Sequence, residues 1–104
     1  MGKPERDGTD ASAAPGPVRL DVWLWRARLV KTRSQAASLI ESGAVRLERP
    51  GREPVRVQKA AQLVAPGDRL SCVIGHRAVA LEVVAPGWRR GPATEAQSLY
   101  STLD

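Results

Sequence analysis

The spacing of hydrophobic positions shifts along this chain, and each shift marks a different predicted element. Leu20, Trp23, Leu24 and Ala27 recur at helical spacing within one arc of about 100°, so residues 20–28 read as an amphipathic helix with that face in the core. Asp21 has the chemistry of its N-cap, with Leu20 before it able to pack on Trp25 as a hydrophobic staple. Val22, Trp25 and Arg26 point away from the stripe. An indole on that side needs a second partner, either the C-terminal segment of the chain or a nucleobase stacked on it.

The stretch VKTRSQAASLIESGAV, residues 30–45, carries the start, body and stop of a second helix. Thr32 and Gln35 have capping-box spacing, Ala36, Ala37, Leu39 and Ile40 form the stripe, and Gly43 supplies a left-handed stop. After Gly43 the period falls to two. Val45 and Leu47 alternate with Arg46 and Glu48 as a strand, Arg49, Pro50 and Gly51 turn the chain, and Val55 and Val57 flank Arg56 in a further alternating piece. Ala65, Pro66, Gly67 and Asp68 make another turn. The runs 69–74 and 78–84 then alternate on either side of Gly75 and His76, which predicts a β-hairpin.

Past Gly87, the helical spacing of Ala96, Leu99 and Tyr100 predicts a short helix over 93–100, capped by Thr94. So short a helix is marginal alone, so this segment and Trp88 are expected to dock back on the domain, with Trp25 as the receiving surface. Residues 1–17 have no large apolar side chain after Met1 and are expected to be disordered. At 104 residues the chain then divides into a disordered N-terminal tail over 1–17, one small domain over 18–86, and a C-terminal tail with a short helix over 87–104.

Charge alters this picture by its distribution. The formal net charge is +5, and Arg19, Arg26, Arg28, Lys31 and Arg33 face the single acid Asp21 between positions 19 and 33. Such a window suits an anionic partner, nucleic acid above all. A lone cysteine, Cys72, makes no internal disulfide, which points to a reducing compartment, the cytoplasm. No apolar run is long enough to span a bilayer and the N-terminus lacks a signal-peptide core, so no membrane partner is expected.

Catalysis needs converging groups, and few are offered. His76 reads as a solvated turn residue and Cys72 as a small buried hydrophobe in a strand. No zinc-ligand spacing, Gly-rich phosphate loop or nucleophile elbow is present, so neither an enzyme nor any metal or cofactor is expected. What the chain does offer is an anion site. The N-terminus predicted at Thr32 presents free N–H groups and the positive end of the helix dipole, with Arg33 and Ser34 as side-chain donors. A tight turn between the helices would bring Arg26, Arg28 and Lys31 alongside, making a basic edge for a phosphate backbone.

The run RLDVWLW at 19–25, then KTRS at 31–34, the A-x-x-L-I-x-x-G-x-V pattern at 36–45 and the later Pro66-Gly67-Asp68 turn resemble the S4 RNA-binding domain. Within that superfamily, Ala27-Arg28, Arg90-Gly91-Pro92, Glu95-Ala96 and Leu99-Tyr100 make the chain most similar to the bacterial heat shock protein 15 family, over about residues 19–101. The resemblance implies an α+β fold, the αL motif: two to three short helices on a small bent antiparallel sheet, with a docked C-terminal segment. It also implies that Arg19, Arg26, Arg28, Lys31, Thr32, Arg33, Ser34 and Arg46 contact RNA.

The same resemblance implies a non-catalytic, stress-associated monomer that binds structured rRNA on the large ribosomal subunit, of the kind that recycles free large subunits carrying a nascent chain on tRNA. A basic surface of this sort also predicts non-specific DNA binding. The alternative is a stand-alone S4 domain serving as regulatory or adaptor partner of an RNA-modifying enzyme or another protein. Three departures from the family pattern modify these expectations. Val22 stands where a basic residue is usual, the loop after Leu47 reads ERPGREPVRV instead of a short turn, and no Lys/Arg-rich extension precedes Asp104. The first removes one phosphate contact, the second lengthens the hairpin or adds a loose basic loop, and the third predicts weaker or differently directed ribosome affinity.

Overall fold

A computed structural model describes residues 16–103, so residues 1–15 of the tail expected to be disordered lie outside the described residues. Strand β1 (Val18–Arg19) runs straight into helix α1 (Leu20–Arg26), and a short connection leads to α2 (Arg33–Glu41). There follow β2 (Val45–Glu48), β3 (Val55–Arg56), β4 (Leu63–Val64), β5 (Arg69–Ile74) and β6 (Arg77–Val83). Helix α3 (Ala93–Ala96) continues as a 3-10 turn over Gln97–Leu99 and ends in β7 (Tyr100–Thr102). The fold is α+β, as the sequence predicts. Five strands form an antiparallel sheet in the order β3-β2-β5-β6-β7, and β1 pairs separately with β4.

One hydrophobic cluster joins helices to sheet. Leu20, Trp23, Leu24 and Ala27 of the first stripe, Ala36 and Ile40 of the second, and Val45, Leu47, Leu70, Cys72, Leu81 and Val83 of the sheet are all buried within it. Alternation decides which strand residues take part: Val45 and Leu47 face the cluster while Arg46 and Glu48 face solvent. Val55, by contrast, is exposed, and only Val57 of that alternating piece enters the core.

The turns form as their residues require. Arg52 N donates to Arg49 O at 2.9 Å around Pro50 and Gly51, and Asp68 N donates to Ala65 O at 3.0 Å around Pro66 and Gly67. Between β5 and β6, Gly75 alone of the two turn residues takes positive φ, +64°, the II′ pattern of a tight hairpin. The long loop after Leu47 still closes a ladder, with Arg46 opposite Arg56 and Leu47 opposite Val55.

Two expectations are corrected. Helix α1 starts at Leu20 and not after an Asp21 cap, because the backbone N–H groups of Leu20 and Asp21 donate to Gln62 O (2.8 Å) and Ala60 O (3.2 Å). With those orphan donors satisfied by a neighbouring loop, no side-chain cap is needed. The predicted helix over 93–100 is also shorter, capped at Pro92 and not at Thr94, and it gives way at Tyr100 to a strand. Pairing of Leu81, Glu82 and Val83 with Thr102, Ser101 and Tyr100 draws those residues into the sheet, where they extend its edge.

Candidate nucleic-acid interface

Helix α1 ends in a Schellman motif that sets the geometry of the basic corner. Leu29 N donates to Leu24 O (3.0 Å) and Arg28 N to Trp25 O (3.1 Å), which places Arg28 at the left-handed position with φ +60°. Glycine is usual there, and a side chain at that φ costs on the order of 1 kcal/mol. Something must offset it. The Arg28 Nε donates to Gly91 O at 2.6 Å, tying the strained residue to the C-terminal tail.

Arg28 is one of several such ties. Arg26 Nη1 donates to Gly87 O (2.9 Å) and Pro86 O (3.3 Å), and Trp23 Nε1 donates to Ala85 O (2.9 Å). In the other direction, Arg90 Nε reaches Trp25 O (3.1 Å) and its Nη2 reaches Val30 O (3.5 Å). The Arg90 guanidinium also lies over the Trp25 ring, 5.9 Å from its centroid. Of the partners open to Trp25, the tail supplies this one, while Leu99 is buried in the core and Tyr100 meets Trp23 edge-on; Trp88, expected to dock as well, instead stays exposed. Residues 85–91 therefore form a strap pinned along α1 and its exit. Gly87 lets it pass closely, with φ +70° and no room for a Cβ, which would stand 2.9 Å from Leu99 Cδ1.

The chain leaving α1 delivers Lys31, Thr32, Arg33 and Ser34 to the surface, where all four are exposed. Thr32 caps α2, its Oγ1 accepting from Gln35 N at 2.9 Å, and Gln35 Oε1 accepts from Lys31 N at 2.9 Å. The capping box thus closes one residue further out than its usual form. Among the described residues, the N–H groups of Arg33 and Ser34 have no acceptor, and neither Lys31 nor Arg33 has a carboxylate partner. Arg26 stands close enough to feel this corner. Burial lowers its pKa from the ordinary value, and the charge of Arg33 pushes the same way.

The remaining expected contacts lie apart from this corner. Arg19 is committed to Asp21, with Nε and Nη2 donating to the two carboxylate oxygens at 3.1 and 2.9 Å. Arg46 is exposed on β2 beyond the C-terminal end of α2, which at nine residues is about 14 Å long, and it faces Arg56 across the ladder. Arg90 is the residue that sequence reasoning missed as a support of the site. Its acceptors lie 60 and 65 positions away, and no local spacing reveals them.

Burial pushes the Cys72 thiol up to about 11, as expected of a small core residue, and His76 is an exposed turn residue. Among the described residues no cluster of His, Cys, Asp or Glu could hold a metal ion, and no helix is long and apolar enough to cross a membrane.

Comparison with known proteins bears on the family and fold of the chain. Residues 18–48, the span of β1, α1, α2 and β2, match the S4 domain. A solved structure of Vibrio cholerae heat shock protein 15, described as trimeric, superposes with a TM-score of 0.72 at 34% identity, covering 85% of this chain and 83% of that one. This chain belongs to the heat shock protein 15 family. The heat shock protein 15 homolog of Haemophilus influenzae is 39% identical over 87 residues, 84% of this chain and 62% of its own length. Heat shock protein 15 of Escherichia coli K12 is 36% identical over 83 residues, 80% of this chain and 58% of its own length. The chain spans about three fifths of the length of these two relatives.

Proposed function

We propose that this protein binds structured ribosomal RNA, on the large subunit, without catalysing a reaction on it. Its S4 domain and its membership of the heat shock protein 15 family support an RNA-binding protein. The observation that carries the finer reading is the corner at Lys31–Ser34. Exposed cations and open backbone N–H groups converge there at the start of a helix, on a framework that the strap holds rigid. Folded RNA is read mainly through its shape, phosphates and hydroxyls, which is what such a corner can engage.

In this reading Lys31, Thr32, Arg33 and Ser34 take phosphate oxygens, and Arg28 adds its outward charge. Arg26 acts mainly by holding the strap and contributing to the local field. Arg19 and Arg46 extend the footprint as outlying contacts. Large subunits carrying tRNA are the natural target in the cytoplasm, and binding to DNA is weak and non-specific.

The test is association with purified large ribosomal subunits across a salt series. Binding is expected to weaken linearly on a log–log scale, by roughly 0.7 to 0.9 per phosphate contact. Salt-independent binding, or capture of an RNA-modifying enzyme without ribosomal particles, would overturn the proposal. Light scattering of the free protein and of the bound particle separates a monomer from a trimer such as the one described for the Vibrio cholerae protein.

A further inference from the structure

The strap carries a feature that its structural role does not use. Trp88 is 59% exposed, while Trp23 is fully buried and Trp25 and Tyr100 are partly so, which makes it the one exposed Trp or Tyr among the described residues. Exposing so much indole has no folding benefit. Its position is nevertheless held closely. The residue before it gives its carbonyl to Arg26, and two residues after it Arg90 is anchored on Trp25 O. The side chain is held as well: the Arg89 guanidinium lies over the indole, 5.0 Å from the ring centroid, and is itself fixed by Glu95 through hydrogen bonds of 3.0 and 2.6 Å.

This is the construction of a stacking platform, a flat π-surface with a cation on one side and rigid backbone on both flanks. Its surroundings indicate what it would stack. Gly91, three residues on, is bonded to Arg28, and three residues of chain reach at most about 10 Å, so the backbone of Trp88 lies within about that distance of the carbonyl that Arg28 holds. An apolar peptide would meet guanidinium groups around this ring, whereas a nucleotide offers a base to the indole and a phosphate to the arginines. We propose that Trp88 stacks on an unpaired base of the bound RNA and thereby favours loops and bulges over plain duplex. This rests on the RNA-binding reading above and adds a base-contacting element to a corner that otherwise touches only backbone.

The experiment compares the wild-type chain with Trp88→Ala, Trp88→Leu and Trp88→Phe, using deproteinised large-subunit rRNA and a fully paired RNA duplex as probes. Because the side chain is exposed, far-UV circular dichroism should be unchanged in all variants. Ala and Leu should weaken binding to rRNA about tenfold, Phe should restore most of it, and duplex binding and the salt slope should stay as in the wild type. Equal rRNA binding by wild type and Trp88→Ala, or full activity of Trp88→Leu, overturns the stacking role and leaves the RNA-binding reading standing. A wild-type chain that binds no rRNA overturns both. Loss of binding to intact subunits alone, with naked rRNA unaffected, assigns Trp88 to a protein contact and overturns stacking.

Discussion

Arg26, Arg28 and Arg90 each donate to backbone carbonyls, whereas Lys31 and Arg33, a few residues further along, have no carboxylate partner among the described residues. Both groups look alike in a charge count. A guanidinium offers several donors in a fixed fork, and around the exit of α1 that fork joins the tail to the helix. The ammonium of Lys31 and the guanidinium of Arg33 sit instead where the chain turns outward at the start of α2, next to N–H groups that have no acceptor among the described residues. One group builds the site and the other is left to act.

The largest expected effect comes from breaking the builder group. Arg26→Ala removes both carbonyl bonds to the strap and should destabilise the fold by about 2 kcal/mol, read from chemical denaturation. If Arg26 were instead a free contact, stability would hold and only RNA affinity would fall. Arg28 separates its two roles by choice of substitution. Both Arg28→Ala and Arg28→Gly lose the bond to Gly91, but only glycine relieves the positive φ, so the glycine variant should be the more stable by about 1 kcal/mol. The two should lose RNA affinity equally.

These cases show what the sequence could and could not reveal. The stripe of α1, the Thr32 cap, the Gly43 stop and the Pro66-Gly67 turn were legible because each depends on residues within a turn or two of one another. The start of α1 at Leu20, the β1–β4 ribbon and strand β7 were not, since each is decided by backbone partners far along the chain. The same holds at the site. Spacing placed Lys31, Thr32, Arg33 and Ser34 together, but it could not tell that Arg26 is tied to carbonyls 60 and 61 residues away. Charge is local in sequence, and its use is not.

Smaller perturbations sharpen the contrast from the other side. Thr32→Ala removes the cap on α2 and should cost about 1 kcal/mol, while Thr32→Ser should retain most of it; thermal unfolding reads both. Cys72 reports on the shared core. With its thiol pushed up from 9.0 to about 11, alkylation of the native protein at pH 8 should be slow. The buried thiol stays neutral where the unfolded chain would ionise, so its stabilising contribution is complete below pH 9 and falls as pH rises from there through about 11. Labelling should quicken in Arg26→Ala, which loosens the strap, and stay unchanged in Lys31→Ala with Arg33→Ala. Equal labelling in both variants would erase the distinction between the two groups.

If the start of α2 takes RNA phosphates, the slope of log affinity against log salt must report it. Measured on large ribosomal subunits, the double variant Lys31→Ala, Arg33→Ala should show a slope shallower than the wild type by roughly 1.4 to 1.8, as the loss of two phosphate contacts requires. A wild-type slope in that double variant would contradict the account.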